Sequence, residues 1–298
     1  MIFTGEAAAV LTALCWSGGS ALFTFSGRRI GSATVNRTRL WMALFLLMGL
    51  HFLMQGTIFP LDAEPERFFW LGISGLVGYL FGDGMLFESF VLIGPRLAML
   101  MMTLVPIFST VLAWFFLGEY LAAWEMLAIA ITLSGVAWVV SEKKNRQNNT
   151  VTGSYRRGIL LGMGGALGQA VGMLFAKKGL AGGFSAVSGN MIRVTAAALC
   201  IVLISVFRRD LTSHLKKLKD KKALIQIFFA SCFGPVFGVV FSLYAIAHTE
   251  IGIASTLMSL APLFLLPLSR IFFKEKITPR ALIGTIIALA GSALLFFI

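Results

Sequence analysis

Two carboxylates, Asp83 and Glu88, stand inside one long apolar run, and two Asn–Arg pairs, Asn36/Arg39 and Asn190/Arg193, stand inside two others. An ionisable group at membrane depth is costly and marks a substrate site or proton relay by default. Asp83 and Glu88 are therefore candidate proton-coupling residues. Five residues of helix separate them by about 140°, so they cannot both face one cavity. Tyr79, Asp83 and Phe87 share a stripe flanked by Gly78, Gly82 and Gly84. The plainer reading of Glu88 is an interfacial ion pair, with Arg96 close by in sequence. An Asn and an Arg three apart share one helical face. An arginine fork suits a carboxylate or phosphate. Its plainer role is to snorkel toward lipid headgroups. Snorkelling is the preferred reading for Arg39 and is left open for Arg193, which lies deeper in its span.

Further candidates for contact with a substrate are Trp16 and Ser17 in Trp16-Ser17-Gly18-Gly19, Gln169 in Gly168-Gln169-Ala170, and Tyr244. Trp and Gln offer a stacking face and an amide, against the alternative of ordinary interhelical packing. The full substrate-binding expectation is Trp16, Ser17, Asn36, Arg39, Tyr79, Asp83, Gln169, Asn190, Arg193 and Tyr244. No catalytic residue, metal site or cofactor is expected. His51, His214 and His248 form no ligand cluster, and Cys15, Cys200 and Cys232 contain no CxxC. Gly78/Gly82 and Gly234/Gly238 are GxxxG pairs, and Gly164, Gly168 and Gly172 continue that pattern as packing surfaces. The run Met99, Met101 and Met102 reads as lipid or core packing.

The elements that hold these residues follow from composition. The chain has 298 residues, of which 58% are hydrophobic and 13% charged. Its mean hydropathy is +0.88. Soluble domains carry about 25% charged residues. The composition excludes an ordinary soluble enzyme and a disordered chain. The net charge of +12 sits in short clusters between apolar runs, which points to basic cytoplasmic loops and not to a nucleic-acid partner. The first run has no basic segment ahead of it and reads as a spanning helix rather than a signal peptide.

Ten spans are expected: Thr4–Ser26, Thr34–Gln55, Phe68–Phe90, Arg96–Leu117, Ala122–Val140, Gly158–Lys177, Ser185–Phe207, Ala223–Ala247, Ile251–Phe273 and Pro279–Phe297. The runs are continuous, so helices are preferred to a barrel. The polar break Ser141–Arg157, with Lys143, Lys144, Asn145, Arg146, Asn148 and Asn149, separates five spans from five. The segment Ala98–Pro106 aligns with Ala254–Pro262 at an offset of 156, which also maps Glu119 to Glu275 and Gly135 to Gly291. It maps Gly78, Phe81 and Gly82 to Gly234, Phe237 and Gly238 as well. With a small shift, Asn36 and Arg39 map to Asn190 and Arg193. Residues 1–141 and 157–298 thus form two five-helix units joined by a basic linker, 142–156. Five is odd, so the units are inverted, an architecture typical of secondary transporters.

Odd-numbered connections hold most of the Lys and Arg, including Arg28, Arg29, Arg208, Arg209, Lys274 and Arg280; even ones hold Arg67, Lys177 and Lys178 with Asp62, Glu64, Glu66, Glu119 and Glu250. This bias places odd loops in the cytoplasm and both termini outside. The stretch Arg208–Lys222, with Leu211, Leu215 and Leu218 among lysines, reads equally as a short helix on the inner leaflet or a solvated loop.

The early arginine of the second span, Trp16 in the first, Ala98–Pro106 leading to Gly118-Glu119, and Gly135 resemble the EamA-type proteins of the drug/metabolite transporter superfamily. That resemblance covers nearly the whole chain. It implies a ten-helix bundle around a central cavity and transport of small metabolites, commonly export of amino acids or related compounds. Familiar members have cytoplasmic termini, whereas the loop charges here argue the reverse. The expected function is a secondary transporter of the inner cell membrane, working by alternating access with proton coupling. Its partners are a small-molecule substrate and the lipid bilayer, with a homodimer among the arrangements allowed. A membrane enzyme acting on lipid lacks a GxSxG, HExxH or His/Asp set; a passive channel would not need an inverted repeat.

Overall fold

The computed structural model describes residues 4–117, 122–142, 155–248 and 257–295, and every regular element among them is helical. The helices are α1 (Thr4–Ile30), α2 (Ser32–Gln55), α3 (Pro65–Ile93), α4 (95–117), α5 (Ala123–Val140), α6 (Tyr155–Gly179), α7 (Ala186–Phe207), α8 (221–248), α9 (Ala261–Phe272) and α10 (Pro279–Leu294). Eight of them, α1 to α8, are long and apolar enough to cross a membrane; α9 and α10 are shorter apolar helices. Many large apolar side chains point outward, among them Leu53 at 82% and Phe207 at 85% exposure. In water that surface would be untenable, whereas lipid chains cover it at no cost. Glu119, Glu250, the 143–150 cluster and 251–256 lie outside the described residues.

Two connections are tighter than the sequence suggests. A single residue, Gly31 (φ 90°), joins α1 to α2, and Gly94 (φ 84°) joins α3 to α4. Both backbones lie where a Cβ is strained, so glycine permits the reversal. Arg28 and Arg29, expected in a loop, instead form the last turn of α1, where cations complement the helix dipole. The stretch after α7 contains a real helix, Leu211–Lys217.

Helix association rests on glycine. A Cβ on Gly168 would lie 2.7 Å from the Gly82 Cα, and one on Gly172 would lie 3.0 Å from the Gly78 Cα. The backbones of α3 and α6 therefore touch, as small-residue seams in lipid allow. Between α5 and α10, a Cβ on Gly135 would meet the Ala288 nitrogen at 2.4 Å, and one on Gly291 would meet the Thr132 nitrogen at 2.5 Å. The main core gathers Phe23, Phe87, Phe90, Leu100, Met101 and Ile227 from both parts of the chain. Met101 is thus a packing residue.

Helices cross-pack between the two parts of the chain. α3 lies along α6, and α8 along α1; α3 also meets α7, and α8 meets α2; α2 packs on α7 and α5 on α10. The correspondence has exceptions. α2 packs on α3 and on α1, with no comparable packing of α7 on α8 or on α6 among the described residues. Leu76–Gly82 of α3 and Cys232–Gly238 of α8 both adopt the wider π-helical turn, 156 residues apart. Pro235 sits in the second turn and no proline in the first, so proline alone does not cause the widening.

Candidate functional site

The π turn in α3 is where the polar side chains converge. Such a turn shifts the backbone register from i→i+4 to i→i+5 and leaves carbonyls aimed away from the helix. Here the Asp83 N–H donates back to the Gly78 carbonyl. Asn36 of α2 donates through Nδ2 to the Tyr79 carbonyl at 3.2 Å, and Gln169 of α6 donates through Nε2 to the Gly78 carbonyl at 3.3 Å. Two side-chain amides thus satisfy backbone that the widened turn exposes, as buried carbonyls require. The turn in exchange places Asp83 directly on the seam between α2, α3 and α6.

Asp83 is 7% exposed. One carboxylate oxygen is ion-paired to Arg39 Nη2, and the other accepts from Gln169 Nε2 at 2.5 Å. Arg39 also donates from Nε to Asn36 Oδ1 at 3.0 Å. Its guanidinium lies 4.9 Å from the Phe87 ring centroid and 5.6 Å from that of Tyr79. The preferred snorkelling reading of Arg39 is therefore corrected. At 7% exposure it points inward, because a carboxylate, an amide oxygen and two aromatic rings offer it more than a distant headgroup.

Arg193 reaches the same centre from α7. Its guanidinium lies 4.5 Å from the centroid of the Tyr79 ring. The Tyr79 hydroxyl donates to Asn190 Oδ1 at 2.5 Å. Gly75 explains the position: a Cβ there would lie 2.0 Å from the Arg193 carbonyl oxygen, so the α3 and α7 backbones are in direct contact. Sequence reasoning missed Gly75, although its place in the series Gly72, Gly75, Gly78, Gly82 was a usable sign of a contact face.

Seven expected residues meet here: Asn36, Arg39, Tyr79, Asp83, Gln169, Asn190 and Arg193. Trp16, Ser17 and Tyr244 belong elsewhere. Trp16 packs against the small cluster of Ala8, Ala9, Ala245 and Met258, and its Nε1 would lie 2.7 Å from a Cβ on Gly238. Ser17 Oγ is 2.7 Å from the Ala13 carbonyl and 2.8 Å from the Ala261 carbonyl, so its one hydrogen serves local packing. Tyr244 is 42% exposed on α8, away from the polar cluster on α2, α3, α6 and α7. The α1–α8 seam corresponds to the α6–α3 seam, and the Asp83–Arg39 pair lies on the latter.

Glu88 is separate from Asp83, as the helical angle requires. Its partner is Arg157 Nη2 at 2.5 Å, not Arg96. Arg96 instead pairs with Glu275 at 3.2 Å, with both side chains about nine-tenths buried. The Gly94 reversal turns Arg96 away from Glu88 and brings Gly94 against Glu275, whose Oε1 would lie 2.7 Å from a Cβ there.

Two cavities have polar linings. One of about 210 Å³ is lined by Arg37, Glu88, Arg208 and Asn36, the partner of Arg39. Another, of about 410 Å³, is lined by His51, Asp62, Arg67 and Ser188. In it the buried His51 donates from Nδ1 to the Thr57 carbonyl at 2.6 Å and accepts at Nε2 from the Ser188 hydroxyl at 2.9 Å. No group of three or more His, Cys, Asp or Glu is placed to hold a metal among the described residues.

The comparisons with known proteins agree with this architecture. The chain is 40% identical over 76 residues to an uncharacterized transporter of Archaeoglobus fulgidus, a match spanning 26% of this chain and 27% of that protein. The chain therefore spans about a quarter of that relative's length. A solved chain, described only as the crystal structure of a protein, superposes with a TM-score of 0.62 over 99% of this chain and 96% of its own, at 16% identity. That likeness concerns the fold alone. The sequence pattern of the EamA-like transporter family matches residues 3–141 and again 156–297. With its apolar helices and a family pattern covering nearly all of its length, this chain is a multi-pass membrane protein of the EamA-like transporter family.

Proposed function

We propose that the chain is a secondary transporter that moves a small metabolite, an amino acid or related compound, outward across the inner cell membrane by alternating access, with Asp83 coupling transport to protons. The observation that carries this reading is the position of Asp83. It is a carboxylate buried in a spanning helix, held by Arg39 and Gln169, with a cavity lined in part by Asn36, the partner of Arg39. Loading a proton on Asp83 removes the counter-charge of Arg39, so the proton state and the packing of α2 on α3 are coupled.

The architecture in this proposal is ten spans in two inverted five-helix units, 1–141 and 157–298, joined by 142–156. Its supports are the family pattern matched twice, the crosswise helix contacts and the two π turns 156 residues apart. Alternating access requires the halves to part at one face at a time. Among the described residues, ion pairs join the halves where the odd-numbered connections lie: Arg29–Asp220, Arg37–Asp210, Arg96–Glu275 and Arg157–Glu88. Arg29–Asp220 and Arg157–Glu88 each include a well-exposed side chain and are worth little, so they can break during a cycle; Arg37–Asp210 is two-pronged and partly exposed, and Arg96–Glu275 is the buried one. On the other face Arg67 donates to the Gly179 and Ala181 carbonyls and His51 meets Ser188. We read this state as closed on the basic face. The unequal packing of α2 and α7 on their neighbours supports a two-state exchange, since inverted units that trade conformations produce the opposite access.

The test is counterflow and pH-gradient-driven flux in liposomes containing the purified protein, with substrates chosen by metabolite profiling. Asp83→Asn should abolish gradient-driven flux while leaving exchange measurable. Undiminished gradient-driven flux would remove Asp83 from the coupling role.

A further inference from the structure

The centre has two cations and one anion: Arg39 and Asp83 are buried, and Arg193 is partly buried. Arg39 and Arg193 occupy matching places on α2 and α7, each three residues after an asparagine. Asp83 has no such mate, because position 239, 156 residues later, is valine. Asp83 is committed to Arg39 and Gln169. Arg193 makes no ion pair among the described residues, and its Nε is buried with no hydrogen-bond acceptor. Its partner is the face of the Tyr79 ring, 4.5 Å away. An aromatic face neutralises a guanidinium less well than a carboxylate does.

A cation at membrane depth normally escapes toward the headgroups or takes a counter-ion. The Gly75 contact holds the α7 backbone against α3 at Arg193, so the side chain cannot leave by a shift of its helix. The centre therefore retains one excess positive charge on rigid elements. Asp83 also displays the geometry of the anion the site can hold: a planar carboxylate taking a guanidinium on one oxygen and an amide N–H on the other. The Tyr79 ring lies against Arg193 and the Phe87 ring against Arg39, with Phe23 packed on Phe87, so the surroundings of the two guanidiniums are otherwise apolar.

We propose that this centre binds a small monovalent carboxylate, with Arg193 as its principal cation and Arg39 shared between the ligand and Asp83. Asp83 is then an intramolecular competitor for the ligand. A ligand carboxylate brings the centre to neutrality, whereas a neutral or cationic isostere leaves or worsens the imbalance. This inference rests on the transporter reading of the same site and names its substrate class.

The test is direct binding to the purified protein in nanodiscs near neutral pH, followed by intrinsic fluorescence and by thermal stabilisation. The probes are acetate, lactate, N-acetylalanine and benzoate, with benzamide, benzylamine and inorganic phosphate as contrasts. At least one monocarboxylate should bind and raise the melting temperature, and benzamide and benzylamine should not. Arg193→Gln should weaken that binding by about tenfold to a hundredfold, the loss expected for one charge-assisted contact. Arg193→Lys, which keeps the charge, should recover part of it. Size-exclusion profiles and melting curves of the unliganded variants separate lost binding from lost fold. If Arg193→Gln misfolds, the wild-type contrast between benzoate and benzamide still decides. The proposal is overturned if no monocarboxylate binds, if benzamide, benzylamine or phosphate binds as well or better, or if folded Arg193→Gln keeps its affinity. Binding without any liposome flux would instead count against transport and leave the anion site standing. Flux of a neutral or cationic compound with no carboxylate binding would do the opposite.

Discussion

At the scale of the residue, context decides which charges are spent on structure. Arg37 forms a two-pronged pair with Asp210, at 2.9 and 3.0 Å. This donation from Arg37 holds the Asp210 carboxyl at about 2, below its ordinary 3.8. His214, one turn on, accepts at Nδ1 from the Thr34 hydroxyl at 2.9 Å and sits 3.3 Å from Asp210 through Nε2. Burial is the main force pulling its pKa down from 6.5, with Arg37 and Lys217 acting in the same direction and Asp210 opposing. Both groups hold fewer protons when Leu211–Lys217 is docked than when it is free. Docking is therefore favoured above the ordinary histidine pKa and is lost as pH falls through 6.5, then further below 3.8 toward 2. Hydrogen exchange of Leu211–Lys217, corrected for intrinsic rates, should accelerate between about pH 7.5 and about pH 5.5. Equal protection at both pH values would show that the histidine does not govern docking.

At the scale of the element, the glycine seams set the helix spacing and hence the site. The Gln169 amide reaches Asp83 only because Gly168 and Gly82 let α6 lie against α3. Gly168→Ala would force a backbone shift, since its Cβ would fall 2.7 Å from Gly82 Cα. Overpacking of this kind costs about 1–3 kcal/mol, so the melting temperature in detergent should drop by several degrees. Gly18 is the control, because a Cβ there meets nothing within 4 Å. Gly18→Ala should melt at or slightly above the wild type, and equal melting of Gly168→Ala would contradict the contact. The π turn is a second lesson at this scale. The segments Leu76–Gly82 and Cys232–Gly238 share their Gly, Phe and Gly positions, but only the first is lined with amides and an acid. The same backbone device faces amides and an acid in α3 and Trp16 in α8.

At the scale of the molecule, the net charge of +12 is distributed by face. The ion pairs joining the two parts of the chain involve residues of the odd-numbered connections or helix ends beside them. Under the positive-inside bias this face is cytoplasmic and both termini are outside. A reporter fused after Ile298 should be active only outside the cytoplasm. Cytoplasmic activity would reverse the assignment and with it the direction in which the present state is closed.

The sequence alone determined the membrane class, the candidate spans and the internal offset of 156, because lipid imposes long apolar runs and a duplicated unit keeps its landmarks in register. It also singled out Asn36, Arg39, Tyr79, Asp83, Gln169, Asn190 and Arg193, since polar groups in such runs must have a purpose. What it could not determine was which of them meet. Trp16 and Gln169 look equivalent along the chain, yet they fall on different seams. Glu88 lies near Arg96 in sequence, yet one glycine reversal sends Arg96 to Glu275. The sequence favours Arg39 as an anchor toward the headgroups, whereas α3 sets a carboxylate and aromatic rings around it. Those outcomes depend on backbone contacts between helices far apart in the chain, at Gly75, Gly82 and Gly168. Residue spacing along one helix fixes which face a side chain is on. Only the close approach of a second helix fixes what that face meets.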